Sequence, residues 1–173
     1  NMKGGKEIPM AAGMRFENDG YLMTDMTMPK PLYQIFSAQV GRIDKLFAHS
    51  ETLSIMVKAK DNLGGKITNW GCVNKTLSPD DLAKLAKGYS RARDILVNAG
   101  ARNIYRSWYL ASHPGGTAKI GEIVDSNLET ELKGLYVCDC SVIPEAWGLP
   151  PILTIIGLGK RLANHINTRT EGR

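Results

Sequence analysis

The chain has 173 residues, of which 43% are hydrophobic and 23% are charged, and its formal net charge is +5. Its length is enough for a sizeable hydrophobic core, and this composition excludes wholesale disorder. The lysines and arginines are spread along the chain and do not form a basic stripe with interleaved aromatic residues, so we expect no nucleic-acid partner. No apolar stretch reaches a membrane-spanning length and no signal peptide is visible, so we also expect no membrane span.

The cysteines make an odd count, and no two of them form a C-x-x-C pair. They are Cys72, Cys138 and Cys140. This pattern favours buried free thiols over a redox or metal site. It is typical of a reducing compartment, so we expect a cytoplasmic protein.

The first half of the chain predicts a hairpin, a helix and two strands. Asn18-Asp19-Gly20 is a plausible hairpin turn between short apolar segments. An apolar stripe with spacings of three and four predicts a helix from Pro31 to His49. Residues 53–60 alternate as a strand does, and residues 66–73 follow a glycine turn as its expected partner strand.

The clearest helix begins at Ser78. Ser78 is a good N-cap, Asp81 completes a capping box, and Gly100 provides the stop.

The last forty residues predict one more strand and one more helix. Leu135 to Cys138 is an apolar segment that indicates a buried strand ending at Asp139. Thr154 to Asn167 is an apolar helix, in which Gly157 and Gly159 suggest close approach of another group to the backbone. Together the elements predict an α+β fold, an antiparallel sheet with packed helices.

His113 is the first candidate functional residue. It lies in a glycine-rich stretch, where a ligand can approach the backbone, and an imidazole can accept a hydroxyl proton near neutral pH. The alternative is a loop histidine whose hydrogen bonds are made with the backbone.

Asp139 is the second candidate, as a carboxylate at the end of an apolar strand. Such carboxylates often meet a ribose or ribityl hydroxyl in nucleotide-binding sheets. The alternative is an Asx turn that caps Ser141.

The start of the last helix is the third candidate. The free N–H groups at Ile152 to Thr154 attract negative charge, although an ordinary core helix explains the apolar residues equally well.

Three other patterns do not meet their requirements. Gly115 to Lys119 lacks the ending of a phosphate-binding loop. Ser112, His113 and Asp125 lack a nucleophile elbow, and the three histidines lack metal-ligand spacing, so we predict no metal site.

Four ordered blocks of the sequence resemble the glucose–methanol–choline family of flavin-dependent oxidoreductases. The first block resembles its H-x-x-G-T-x-R-M-G pattern, the second V-V-D, the third G-L-x-V-x-D-x-S-x-x-P and the fourth P-x-L-T-I. In this chain the blocks are residues 113–121, 123–125, 134–144 and 151–155. Residues 1 to 110 are compatible with the family's substrate domain but carry no sharp motif.

The resemblance implies a cofactor and a reaction. It implies FAD, and hydride transfer from the CH–OH group of a small-molecule alcohol to the flavin. It assigns a catalytic role to His113 and contacts with the cofactor to Asp139, Cys140, Pro151 and Ile152. On this basis residues 1–134 form a substrate-domain-like region, and residues 135–173 supply a strand, loop and helix that complete the flavin domain of a whole enzyme.

Two departures from the family pattern qualify that expectation. Pro150 stands where the family usually has a second catalytic His or Asn, and no G-x-G-x-x-G segment is present to hold the dinucleotide. We therefore expect a piece of a longer or split enzyme, whose FAD-binding region is supplied in cis or in trans. The isolated chain is expected to be inactive, to lose FAD and to form a homo-oligomer. The alternative is a non-catalytic binding or assembly module that keeps the fold without the chemistry.

Overall fold

The computed structural model describes residues 13–111 and 113–171, which divide into two compact units. Unit 1 contains residues 13–60 and 77–110. Unit 2 contains residues 61–76, 111 and 113–171. The chain therefore passes between the units three times, and each unit is described separately below.

Unit 1 is a three-stranded antiparallel sheet with two helices. The sheet order is β1-β2-β3, so the second strand is central. The elements are β1 (Gly13–Phe16), β2 (Tyr21–Met26), α1 (Lys30–Gln39), β3 (Ser54–Ala59) and α2 (Pro79–Asn98). The predicted hairpin is confirmed, because Phe16 pairs with Tyr21 across the turn and Gly20 adopts the left-handed conformation that the turn requires.

Helix α2 begins with the predicted capping box and covers the sheet. Ser78 Oγ accepts from the Asp81 N–H, while the Ser78 N–H donates to the Asp81 carboxylate. The core of unit 1 joins the two elements through Tyr21, Met23 and Ala92. Helix α2 can approach the sheet closely because it has Gly88 at the contact.

The helix predicted from Pro31 to His49 ends at Gln39 instead, so the prediction was wrong for its C-terminal half. Gly41 adopts φ +74°, a left-handed conformation that terminates a helix. Short 3-10 turns follow at Ile43–Lys45 and His49–Glu51. Tyr33 holds them to α1, since its hydroxyl donates to the Lys45 carbonyl oxygen at 2.9 Å.

The partner predicted for β3 was also wrong. Strand β3 pairs with β2, from Tyr21 opposite Ala59 to Met26 opposite Ser54. Residues 66–73 do not form one strand but begin a separate hairpin in unit 2, of β4 (Lys66–Ile67) and β5 (Val73–Asn74). The sequence Asn69-Trp70-Gly71 is itself a turn, and it divides the apolar run that predicted a single strand.

The core of unit 2 is an apolar cluster around Val142, which is fully buried. Val124 and Leu128 are the other buried members of this cluster. Helix α3 (Ile152–Glu171) packs against it through Leu158 and Leu162. The predicted last helix is thus confirmed and is longer than expected.

The continuous strand predicted at Leu135 to Cys138 is absent. Within this segment only Tyr136 makes a β-bridge, with Glu129, and Leu135 is half exposed. The pairing stops at the hydrogen bond from the Val137 N–H to the Leu128 carbonyl oxygen, because Leu128 has a φ of +68°, which an extended strand does not adopt.

The α+β fold class is confirmed by these elements. The expectation of buried thiols was wrong for Cys72, which is exposed. Cys138 and Cys140 are half buried, and Cys140 begins a 3-10 turn. Among the described residues, no helix has the length and apolar character needed to cross a bilayer.

Replacement of Gly88 by alanine should destabilise unit 1 by about 1–3 kcal/mol, because core sites tolerate added volume poorly. A Cβ at this position would lie 2.4 Å from Val57 Cγ1 and 3.1 Å from the Tyr21 ring. Urea unfolding followed by circular dichroism measures the loss.

Gly157→Ala is the matched control in α3, where no described atom lies within 4 Å of the added Cβ. We expect that variant to gain about 0.5–1 kcal/mol from helix propensity. Equal effects of the two substitutions would show that α2 does not need its close approach to the sheet.

Candidate functional site

The glycine-rich loop that carries His113 lies alongside the turn that follows Asp139. The Ala118 N–H donates to the Ser141 carbonyl oxygen at 3.0 Å, and the Ile120 N–H donates to the Val142 carbonyl oxygen at 2.9 Å. Two backbone hydrogen bonds thus join the first and third sequence blocks. These blocks are about twenty residues apart in the chain, and Val142 anchors their junction in the core of unit 2.

His113 is half buried and has a left-handed backbone conformation. Its φ is +65°, which is uncommon for a residue other than glycine. Such a conformation costs about 1–2 kcal/mol, so the surrounding loop must hold it in place. Pro114 and Gly115 follow in the sequence, and Gly115 lies close to the backbone of Cys140.

Gly115 is enclosed between two groups that sequence reasoning did not connect. A Cβ at Gly115 would lie 3.3 Å from the Cys140 carbonyl oxygen and 3.9 Å from the edge of the Trp147 ring. Trp147 belongs to the loop between the third and fourth blocks, so its ring brings that loop to the His113 loop. The adjacent glycines in the sequence were a signal of close packing, but they did not identify the partner.

Asp139 forms the Asx turn that was one of its two interpretations. Its Oδ1 accepts the Ser141 N–H at 2.7 Å and thereby caps the 3-10 turn Cys140–Val142. Asp139 is exposed, whereas Cys140 is half buried. The capping role does not remove the carboxylate from solvent, so its role toward a cofactor stays a prediction.

The start of helix α3 presents an apolar surface beside free backbone amides. Pro151 is buried, whereas Ile152 and Leu153 are 62% and 83% exposed. The Ile155 N–H makes the first bond within the helix, to the Pro151 carbonyl oxygen. The amides before Ile155 therefore have no acceptor within the helix.

The second block, Ile123 to Asp125, builds a turn and does not contribute to a catalytic set. Asp125 Oδ1 accepts the N–H groups of Asn127 at 2.8 Å and Glu129 at 3.0 Å. These hydrogen bonds, that of Glu129 first, lower the pKa of the Asp125 carboxyl. The turn places Leu128 in the core. Burial of its side chain offsets the free energy cost of its left-handed backbone conformation.

Glu129 fixes the end of helix α3 to this turn, a role that the sequence did not suggest. It accepts the Gly134 N–H at 2.8 Å and the guanidinium of Arg169 at 2.8 Å. The same Arg169 nitrogen donates to the Tyr136 hydroxyl. The Gly134 N–H, then Arg169, lower the pKa of the Glu129 carboxyl although burial opposes the shift.

The donor set of unit 2 fits an anionic group rich in hydroxyls, such as part of a flavin nucleotide. It offers an exposed carboxylate at Asp139, half-buried backbone at Cys140 and amides at the start of α3. The described residues contain no group of three or more His, Cys, Asp or Glu side chains that could hold a metal ion. Of the two residues predicted to make apolar contacts with a cofactor, Ile152 is exposed, whereas Pro151 is buried.

The family profile described as GMC oxidoreductase matches residues 72–159, which include all four sequence blocks. The chain belongs to the GMC oxidoreductase family. The matched region is the C-terminal part of that family, and it covers the loop of His113, the turn after Asp139 and the start of α3.

Three proteins illustrate the similarity to other members. Uncharacterized protein MJ1450 of Methanocaldococcus jannaschii is 38% identical over 67% of this chain and 30% of its own length. Long-chain-alcohol oxidase FAO3 of Arabidopsis thaliana is 24% identical over 72% of this chain and 23% of its own length. Long-chain-alcohol oxidase FAO4B of the same plant is 34% identical over 36% of this chain and 9% of its own. The chain thus spans less than a third of these relatives, and no solved structure matches it significantly.

Unit 2 should lose stability at acid pH through Glu129. Its folded pKa lies below the ordinary value of 4.5, so its stabilising contribution is complete above that value and is lost as pH falls through the folded pKa. Glu129→Gln should flatten the acid side of a stability–pH curve, which urea unfolding at a series of pH values measures.

Glu122→Gln is the control, since Glu122 is an exposed carboxylate paired with Lys119 at 3.0 Å. We expect its curve to match that of the unaltered chain, because exposed pairs contribute little. An acid slope unchanged in Glu129→Gln would contradict the role assigned to Glu129.

Proposed function

We propose that this chain is the C-terminal portion of an FAD-dependent oxidoreductase that oxidises the CH–OH group of a small-molecule alcohol. The observation that supports the proposal best is the junction of the His113 loop with the turn Cys140–Val142, made by two backbone hydrogen bonds. The half-buried residue His113 and the exposed residue Asp139 each lie within a few residues of this junction, in the same unit of the fold. Family membership supports the same chemistry.

His113 is the proposed acid–base residue. A flavin, when bound, accepts a hydride from the substrate carbon. His113 takes the hydroxyl proton of the alcohol, so that the C–H electron pair leaves with the hydride and the C–O bond becomes a carbonyl.

The remaining residues of the site are proposed to hold the cofactor. Asp139 would meet its ribityl or pyrophosphate part, with Cys140 beside it, and Pro151 and Ile152 would border the ring. The name long-chain-alcohol oxidase, which two plant relatives carry, supports an alcohol as the electron donor. Without an FAD-binding region in cis or in trans, we expect the chain to be inactive, to lose flavin and to self-associate through exposed apolar side chains such as Leu153.

The test combines the chain with an FAD-binding region, as one polypeptide or two, and follows anaerobic loss of the flavin's visible absorbance on addition of an alcohol. His113→Asn should slow that reduction by roughly 10²-fold, the usual scale for loss of a positioned acid–base group. Asparagine tolerates the left-handed conformation, so this variant removes the imidazole and keeps the backbone. Flavin binding should not change.

His49→Asn is the control in unit 1, where His49 contacts the Met28 carbonyl oxygen at 2.7 Å. That variant should reduce the flavin at the normal rate once its fold is verified by circular dichroism. A normal rate in His113→Asn would show that His113 is a structural loop histidine.

One observation favours the second candidate, a binding or assembly module without catalysis. Pro150, at the position of the family's second catalytic residue, is exposed and offers neither a side-chain donor nor an acceptor. The loop of Leu149 to Pro151 therefore supplies no polar side chain for a catalytic pair.

Pro150→Asn tests which candidate holds. If the site is an alcohol-oxidising site that has lost its second polar residue, the substitution should raise the rate of flavin reduction by about tenfold or more, given the 10²–10⁴-fold scale of acid–base catalysis. Glu145→Asn, in the same loop but outside the pair position, is the matched control. A folded Pro150→Asn protein that binds flavin and gains no activity would favour the binding module.

A further inference from the structure

The β4–β5 hairpin of unit 2 carries a rigid, uncharged tip. The Gly71 N–H donates to the Thr68 carbonyl oxygen at 2.9 Å, and the Thr68 N–H donates to the Cys72 carbonyl oxygen at 2.8 Å. The Cys72 N–H donates to Thr68 Oγ1 at 3.1 Å. These hydrogen bonds hold Trp70 at the outer end of a closed turn.

Trp70 is 93% exposed, and two more apolar side chains accompany it. Ile67 and Val73 pair directly across the hairpin, so both side chains lie on one face of it. They are 56% and 73% exposed. We call these three side chains the tip surface.

The charged residues of the hairpin itself lie at its base. Residues 67–74 contain no ionisable side chain other than the Cys72 thiol. Lys66 lies at the base on the face opposite to Ile67, and it is exposed. Lys75 pairs with Asp61, whereas Lys66 has no salt bridge to any residue that the structure describes.

The tip surface is smaller than one side of a typical stable protein interface. Its three side chains, of which Ile67 and Val73 are only partly exposed, offer less than roughly 600 Å², whereas a typical stable interface buries about 800 Å² on each partner. A bilayer surface sets no such requirement, because shallow insertion of an indole and two aliphatic side chains is itself favourable. Tryptophan is enriched at the level of the lipid headgroups, and a lysine behind it suits anionic lipids.

We propose that the tip surface inserts into the headgroup region of an anionic lipid bilayer and docks the protein on it. Trp70 and Ile67 enter the acyl boundary with Val73, while Lys66 contacts lipid phosphates. Trp70 and Ile67 lie before the stretch that matches the GMC family, residues 72–159, whereas Val73 lies within it.

The test measures cosedimentation of the full chain with phosphatidylcholine vesicles that contain or lack phosphatidylserine. We expect binding to the vesicles that contain phosphatidylserine, and Trp70→Ser should reduce the bound fraction by roughly tenfold, since hydrophobic insertion dominates such binding. Trp108→Ser removes an indole that is 54% exposed in unit 1 and should bind normally. Lys66→Gln should weaken binding only where phosphatidylserine is present.

A second measurement protects the test against misfolding of Trp70→Ser. In a Trp108→Phe, Trp147→Phe chain the fluorescence comes from Trp70, and brominated lipids should quench it and shift its emission to the blue. Absence of binding, equal binding by Trp70→Ser with no quenching, or self-association that depends on Trp70 without lipid would each overturn the proposal. None of these outcomes depends on flavin or on alcohol oxidation, so the proposed function stands or fails separately.

Discussion

Complete burial of Val142 is the constraint on which unit 2 depends. Its side chain closes the apolar cluster with Val124 and Leu128, and its carbonyl oxygen accepts a hydrogen bond from the loop of His113. One residue therefore couples the hydrophobic core to the arrangement of the candidate site. Because buried apolar packing is sensitive to side-chain volume, a change of volume in this core would shift the loop of His113 relative to the turn that contains Val142. Helix α3 joins the same cluster through Leu158 and Leu162, so the four sequence blocks share one support.

The polar interactions of unit 2 lie around this core and lock the backbone where it is irregular. Asp139 caps one turn and Asp125 another, and Glu129 links the second turn to the far end of α3. Each carboxylate meets backbone N–H groups that would otherwise lack partners in a segment without regular secondary structure. This explains how a stretch with few helices or strands holds His113 in a conformation that is costly on its own.

The sequence predicted elements whose ends are set by local chemistry. The capping box at Ser78 and the turn at Asn18–Gly20 need only neighbouring residues, and both are present as expected. It failed where distant contacts decide the outcome. Apolar spacing could not show that Gly41 ends α1, or that the chain near Leu128 denies residues 135–138 a ladder. For the site, short blocks identified the loop of His113 and the turn at Asp139, but the proximity of Gly115 to Trp147 involves residues 32 positions apart and left no local signal.

The threefold passage of the chain between the units has a consequence for biosynthesis. All described residues of unit 1 have been synthesised once Leu110 is made, whereas the core of unit 2 also needs Leu158 and Leu162, about fifty residues later. Domains fold as units during synthesis when their residues become available. On the ribosome, unit 1 can therefore fold around its core of Tyr21 and Ala92 before the core of unit 2, to which the hairpin of residues 66–74 belongs, is complete. The part of the protein that carries His113 therefore acquires its structure later than unit 1, which leaves it open to ligands and chaperones until Leu162 has been made.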